Sequence, residues 1–478
     1  MSSKRVFVVA DHGLSVVYFL QSDVISTLLA AGVEVVLLTD DELVGRIAQR
    51  FGRPGLTVDG LRLKQAEAYS EGSHRELQWW LGLLRRVGGS QRINTEAMDA
   101  YIRQVHVEHN ARRKRYLYPL ADATIWLLRH AALARKALVQ LQRPLVPHLY
   151  GDLFDRYKPD MVIANTPGWR MDRYLLREAH ARGIPNAAAI VGWDNPSSYA
   201  ISGAPTQWAT CWSDEQKREL VLGSDWKPER VNIGGIPSYD GYLRREWLMD
   251  REAYFRKHQL DPERKLIAYA CSFETFSPNI QNIEALARMI SQDRLKAPAQ
   301  LLIRLHPNHF MRNWPFLIEE RERILRMAQE IPHVHVVSPA SLGGALGHYS
   351  GEDMDEKSSM MAHADIVVTV YSTMVVETAI HDRPIISACL DVPGGWNLPR
   401  KFSLSLSEIG NWPTHQRFRE AGAGRVAFDE PSLLEHVNHY LEDPALDGDQ
   451  RRAFVRQEIT FTDGSAGRRT GEYLLSLL

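Results

Sequence analysis

Two series of short apolar runs organise the chain, each run closed by polar residues and followed by helical spacing. The first comprises residues 4–10 (KRVFVVA), 33–40 (VEVVLLTD), 161–166 (MVIANT), 187–191 (AAAIV), 208–212 (WATCW) and 231–233. The second comprises 265–271 (KLIAYAC), 300–305 (QLLIRL), 334–337, 365–370 (DIVVTV) and the pair Ile385-Ile386. Brief apolar, β-branched runs suit strands buried on both faces of a parallel sheet, with the helical stretches as crossovers. The pattern therefore predicts an α/β protein of two doubly wound domains. The run Gly234-Gly235-Ile236-Pro237-Ser238-Tyr239-Asp240 forces a bend between the two series, placing a hinge near Pro237. The predicted division is 1–237, 238–450 and a terminal helical tail at 451–478.

The strand pattern disappears between about residues 67 and 143. This insertion is helical in spacing, broken at Gly88-Gly89-Ser90, and rich in arginine and aromatic residues, with Arg112-Arg113-Lys114-Arg115 as its densest cationic run. It reads as a helical subdomain covering the sheet with a solvated charged face. The competing reading is a face for peripheral contact with an anionic bilayer or for a lipid-linked acceptor.

Residues 365–386 (DIVVTVYSTMVVETAIHDRPII) carry the most chemistry. A strand gives way to Tyr371-Ser372-Thr373, either hydroxyl of which can cap a helix, and Arg383-Pro384 ends that helix before the next strand. Free backbone N–H groups at such a turn, at the carboxyl end of a parallel sheet, suit a diphosphate. Glu377 follows about one helical turn later, within reach of ribose hydroxyls. The ordinary alternative is a capped βαβ unit with a surface glutamate.

Other strand ends supply further candidates. Ser272 closes the run at 265–271, and Arg304 and His306 close the run at 300–305 with donors suited to phosphate oxygens. Asp11 and His12 follow the first strand, where a carboxylate or imidazole can act as general base, or can merely cap a helix. Asp194 in Gly192-Trp193-Asp194-Asn195 is a second candidate base, with Trp193 available to stack on a ring. Asp353-Met354-Asp355 has the D-x-D spacing of a metal site but precedes a helix, and with Glu352 reads as solvated capping residues. No metal and no cofactor is expected.

Composition narrows the field. The 478 residues carry 57 basic and 58 acidic side chains, a net charge of −1 that gives no argument for nucleic acid as a partner. The three cysteines are widely separated and fit neither a disulfide framework nor a metal spacing, which points to a reducing, cytoplasmic setting. No apolar run approaches the ~20 residues of a membrane span.

Several of these segments resemble one family. STMVVETAIHDRPII is similar to the S-T-x-x-x-E-(x6)-P signature of GT-B glycosyltransferases, GGIPSYD to their interdomain G-x-P-x-x-D, and RLHPN to the R-x-H-P of bacterial surface-sugar transferases. GWDNPSS resembles a W-D-N-x-x-S motif of bacterial surface-polysaccharide transferases. The resemblance implies a GT-B fold, two Rossmann-like domains facing across a cleft, with a C-terminal helix returning to the N-terminal domain. It implies metal-independent transfer from a nucleotide-sugar to a glycan, lipid-linked or protein hydroxyl in polysaccharide biosynthesis. Ser272, Arg304, His306, Ser372 and Thr373 would meet the diphosphate, Glu377 the ribose, and Asp194, His12 or Asp11 would be the base. CDP-glycerol glycerophosphotransferases and UDP-N-acetylglucosamine 2-epimerases share the layout, and a binding protein without a competent base is the non-enzymatic alternative.

Overall fold

The computed structural model describes residues 3–72, 74–109, 113–272, 279–311, 315–340, 351–390 and 405–478. They form two compact units: unit 1 holds the residues up to Asp240, Gly351 and Ile459–Leu478, and unit 2 holds 241–340 and 352–458.

Unit 1 is built on seven strands: β1 Arg5–Ala10, β2 Glu34–Thr39, β3 Leu56–Gly60, β4 Met161–Ala164, β5 Asn186–Ala189, β6 Trp208–Cys211 and β7 Val231–Ile233. They pair in parallel in the order β3-β2-β1-β4-β5-β6-β7. Unit 2 has six: β8 Lys265–Ala270, β9 Ala299–Arg304, β10 Val334–Val337, β11 Ile366–Thr369, β12 Ile385–Ala388 and β13 Arg425–Ala427. Their order, β10-β9-β8-β11-β12-β13, is also parallel throughout. Both sheets thus wind outward from a central pair, and the carboxyl ends of that pair are the topological switch points where such folds bind ligands. The central strands are apolar and buried because helices cover both faces. The apolar pattern misses β3 and β13, whose partly exposed residues at or near the sheet edges lack a continuous apolar run.

The stretch after β1, which reads as one helix, is two: Gly13–Leu20 and Asp23–Ala30, the second capped by Ser22, whose Oγ accepts from Val24 N. The terminal helix Ala466–Leu475 packs on Asp23–Ala30 within unit 1. Glycine allows the contact: a Cβ at Gly467 would stand 2.6 Å from the Asp23 nitrogen, and one at Gly471 2.6 Å from Thr27 Cβ. Asp240, last residue of the G-x-P-x-x-D run, accepts from Ala466 N at 3.0 Å and Gly467 N at 2.7 Å, so it neutralises the free amides at the start of that helix.

The strandless insertion consists of helices Leu63–Glu71, Arg75–Val87, Glu96–His109, Tyr118–His130 and Ala132–Leu141. It has its own core, including Leu81, Val87, Met98, Ile125 and Leu128, joined by Ile201 from the sheet side. Its outer surface is less charged than its composition predicts, since Leu120, Trp126, Leu133 and Leu141 are exposed. Of the cationic run, Arg112 lies outside the described residues. Among those described, no single helix is long and apolar enough to cross a membrane.

Candidate functional site

At the switch point of unit 1, Asp11 and His12 leave β1 beside Asn165 and Thr166 leaving β4. Asp11 is fully buried; its Oδ1 lies 2.5 Å from His12 Nδ1 and also accepts from Asn165 Nδ2, while Oδ2 accepts from Arg170 Nε at 3.2 Å. Burial alone would raise this carboxyl, but Arg170, His12 and Asn165 outweigh it and hold the pKa far below the usual carboxylate range. With Asp11 keeping the proton on Nδ1, Nε2 is the proton-accepting nitrogen of His12. Desolvation, then the Arg170 charge, lower the His12 pKa against the opposing pull of Asp11, so the ring is neutral near pH 7. His12 is at the same time the N-cap of Gly13–Leu20, its backbone N donating to Ser15 Oγ at 3.2 Å, so the capping and the acid–base readings describe one residue.

Asn165, Arg170 and Asp172 escaped the sequence reading as site residues, because only the β1–β4 pairing brings them to Asp11. Asn165 Oδ1 is buried without a hydrogen-bond partner among the described residues. Asp172 is fully buried, accepts from Thr166 Oγ1 at 2.6 Å and has its pKa raised to about 7, by burial first and the Asp11 charge second. Asp194 stands apart from this network: it is exposed in the turn after β5, where Ser198 Oγ donates to it at 3.2 Å. Trp193 is not available for stacking as expected; it is 1% exposed, with Gln216 donating to its carbonyl.

At the switch point of unit 2, Ser272 follows β8 and Tyr371-Ser372-Thr373 follows β11, with Arg304 and His306 ending the adjacent β9. Ser372 Oγ accepts from Met374 N at 3.3 Å, whereas Thr373 occupies the N-cap of Met374–Ile380 without a side-chain bond. Tyr371 before them has φ +29°, an unfavourable conformation for a bulky residue, and its ring stacks on His415 at 4.6 Å. Burial, then Arg417 and Arg419, lower the His415 pKa to about 3, so this ring is a neutral stacking partner.

His306 Nδ1 accepts from Asn308 N at 3.1 Å, which leaves Nε2 to carry the proton of the neutral ring. A polar relay that the sequence did not reveal ties His306 to Ser272. His309 Nδ1 accepts from His306 N at 3.0 Å, His309 Nε2 meets Glu320 at 2.8 Å, and Asn279 joins Glu320 to the Ser272 backbone, its Oδ1 accepting from Ser272 N at 3.1 Å.

Two expectations in unit 2 change. Arg304 is buried in an ion pair with Asp353, which also accepts from Ala340 N. Asp353 is therefore not a solvated cap: a guanidinium out of water needs an internal counter-charge, and the residue at the helix start provides it. Glu377 is not a surface carboxylate. It is 4% exposed and meets Lys357 Nζ at 2.5 Å, and Tyr242 Oη donates to it at 2.7 Å. Among the described residues, no group of three or more His, Cys, Asp or Glu side chains could hold a metal ion.

No protein-family model matches the chain, and no curated protein matches it in sequence. Solved structures do match in fold. A candidate UDP-N-acetylglucosamine 2-epimerase from Listeria monocytogenes aligns with TM-score 0.55 and 10% identity over 100% of this chain and 97% of its own. The UDP-GlcNAc 2-epimerase of Neisseria meningitidis, bound to UDP-GlcNAc, aligns with TM-score 0.54 and 13% identity over 99% and 100%. A glycosyltransferase from Rickettsia africae aligns with TM-score 0.50 and 8% identity over 100% and 98%. Two Rossmann-like parallel-sheet units, matched along their whole length by such structures, give this chain the GT-B type of fold.

Proposed function

We propose that the protein is a nucleotide-sugar enzyme that transfers a sugar to a hydroxyl acceptor without a metal, in the biosynthesis of a bacterial surface glycan. The observation that carries this reading is the pair of switch points: donors and hydroxyls in unit 2, and an oriented, neutral histidine in unit 1. In unit 2, Ser272, His306, Ser372 and Thr373 hydrogen-bond the donor diphosphate as negative charge develops on it. Glu377, preset by Lys357 and Tyr242, faces the ribose; the Arg304–Asp353 pair supports the strand end. In unit 1, His12 Nε2 takes the acceptor proton, the acceptor oxygen bonds to the anomeric carbon, and the nucleoside diphosphate leaves with the electrons of the broken C–O bond. Asp194 is the alternative base. The free, buried cysteines fit a reducing compartment such as the cytoplasm, where nucleotide-sugar donors are used.

The second reading is a UDP-N-acetylglucosamine 2-epimerase, favoured by the epimerases that share the fold. The structures named above do not favour glycerol-phosphate transfer. The test is calorimetric titration with UDP, GDP and CDP in EDTA, followed by incubation with the sugar of whichever nucleotide binds. Binding in EDTA together with acceptor-dependent release of the nucleoside diphosphate supports transfer. Conversion of UDP-GlcNAc to its 2-epimer with no acceptor would replace transfer by epimerisation, and failure of a folded sample to bind any of the three would overturn both.

A further inference from the structure

The helical subdomain and the segments that follow β4 and β5 line an open cleft of about 230 Å³ that none of the chemistry above uses. We propose that it is a binding site for a single sugar ring carrying one anionic group, a carboxylate or a phosphate. The inference goes beyond the nucleotide-sugar reading and does not depend on it, since every residue involved belongs to unit 1.

Three features define the ligand. The first is a set of buried polar atoms without partners. Gln78 is 5% exposed, and neither its amide nitrogen nor its amide oxygen has a hydrogen-bond partner among the described residues. Leaving such a group unsatisfied forfeits its hydration without a replacement bond, and a group that is both donor and acceptor is matched by hydroxyls. Arg173, also buried, binds Arg170 O, Ser70 Oγ and Tyr174 Oη through its terminal nitrogens, while its Nε is unpartnered and calls for an acceptor.

The second is charge. Arg85, Arg86 and Arg173 line the cleft with no aspartate or glutamate among its lining residues. Arg85 donates to the neutral Gln142 at 2.6 Å, and Arg86 lies over the Tyr101 ring at 4.0 Å and the Tyr199 ring at 5.0 Å rather than against a carboxylate. Burial, followed by repulsion from Arg173 and Arg177, pushes the Arg85 pKa well down, a penalty that a bound anion would relieve. The third is shape. Trp169 and Tyr199 stack at 5.8 Å, and with Trp79 they give the cleft flat aromatic walls of the kind that pack on the apolar face of a sugar ring. Its volume falls below the about 300–1,000 Å³ of sites for larger ligands, which suits one ring inside it. Trp169 and Arg173 flank Arg170, the partner of Asp11, so an occupant would adjoin the acid–base network of unit 1.

The test is calorimetry on the full chain with D-glucuronate, glucose 6-phosphate, glucose and inorganic phosphate, with UDP titrated separately. At least one acidic sugar is expected to bind about tenfold or more tightly than glucose and inorganic phosphate, the scale of one well-formed hydrogen bond to a charged group. Which of the two binds identifies the anion. Gln78→Leu, which replaces the orphaned amide with an apolar group of similar size, and Arg86→Met are each expected to weaken it about tenfold, with circular dichroism and any UDP affinity unchanged. A folded wild type that binds neither acidic sugar, that binds glucose or inorganic phosphate equally well, or that keeps its affinity in both variants would overturn the proposal. If the acidic sugar binds while UDP does not, the donor reading alone fails.

Discussion

The two units wind their strands in the same order and differ in what they place at the same point. In unit 1 the residues after β1 and β4 are polar, mostly buried and bonded to one another: Asp11 takes His12, Asn165 and Arg170, and Asp172 takes Thr166. In unit 2 the residues after β8 and β11 are small hydroxyls in a backbone-rich turn beside a tyrosine at positive φ, and Arg304 at the end of the adjacent β9 is already paired with Asp353. The topology supplies a crevice in both cases. What fills it sets the chemistry available there, since an oriented neutral imidazole can accept a proton while hydroxyls and amides can donate to an anion.

The sharpest way to break this contrast is His12→Ala. It should lower turnover by about 10²–10⁴, the usual share of a general base, with nucleotide affinity in unit 2 unchanged by calorimetry. Normal turnover in this variant would hand the proton step to Asp194. In the wild type, kcat/KM should rise with pH along a limb centred below the ordinary histidine value, because the folded pKa of His12 is depressed. Next in size is the buried ion pair of unit 2. Asp353→Asn leaves the Arg304 charge uncompensated and should cost about 3–5 kcal/mol in urea unfolding, while Arg304→Met with Asp353→Leu should recover most of it. A single variant as stable as wild type would mean that Arg304 is solvated and open to a donor after all.

Smaller effects sharpen the anion side. Ser372→Ala and His306→Ala should each weaken nucleoside diphosphate binding about tenfold, the loss of one hydrogen bond to a charged group, and should also slow turnover at saturation, since the same bonds strengthen as charge develops on the diphosphate. Equal affinity in both variants would remove the β9–β8–β11 strand ends from the donor site. A pH-dependent effect belongs to Asp172. Its pKa is raised from 3.8 to about 7, so the folded state holds this proton more tightly than the unfolded chain. The stability it contributes is present below the unfolded value and is lost as pH rises through about 7, at no more than about 1.4 kcal/mol per pH unit. Asp172→Asn should remove that slope from the difference between wild-type and variant unfolding curves at pH 5 to 8. An unchanged slope would show that Asp172 is ionised throughout.

Much of this was legible in the chain. Eleven of the strands coincide with apolar runs, because a strand covered on both faces admits little else. β3 and β13 were not legible, since their residues are partly exposed and gain their strand form from the neighbour they pair with. Residues immediately after a strand could be nominated as candidates, and His12, Ser272, His306 and Ser372 do lie at the switch points. Their partners could not: Asn165 is far from Asp11 in sequence, and Glu320 and His309 join Ser272 to His306 only through packing. Charged residues misled in a consistent direction. Arg304 read as a group facing ligand and Asp353 as one facing water, yet they pair with each other, and the surface alternative for Glu377 fails because it is buried against Lys357.

The amino-acid sequence by itself determined the two α/β series, the strandless insertion and the positions at which chemistry is available, because hydrophobic periodicity and Gly–Pro punctuation act over a few residues. Only the tertiary structure decided which polar residues are satisfied by one another and which are left with unmet bonds. That distinction separates the paired Arg304 from the orphaned Gln78, and it depends on burial and on partners brought from distant parts of the chain, which local sequence does not encode.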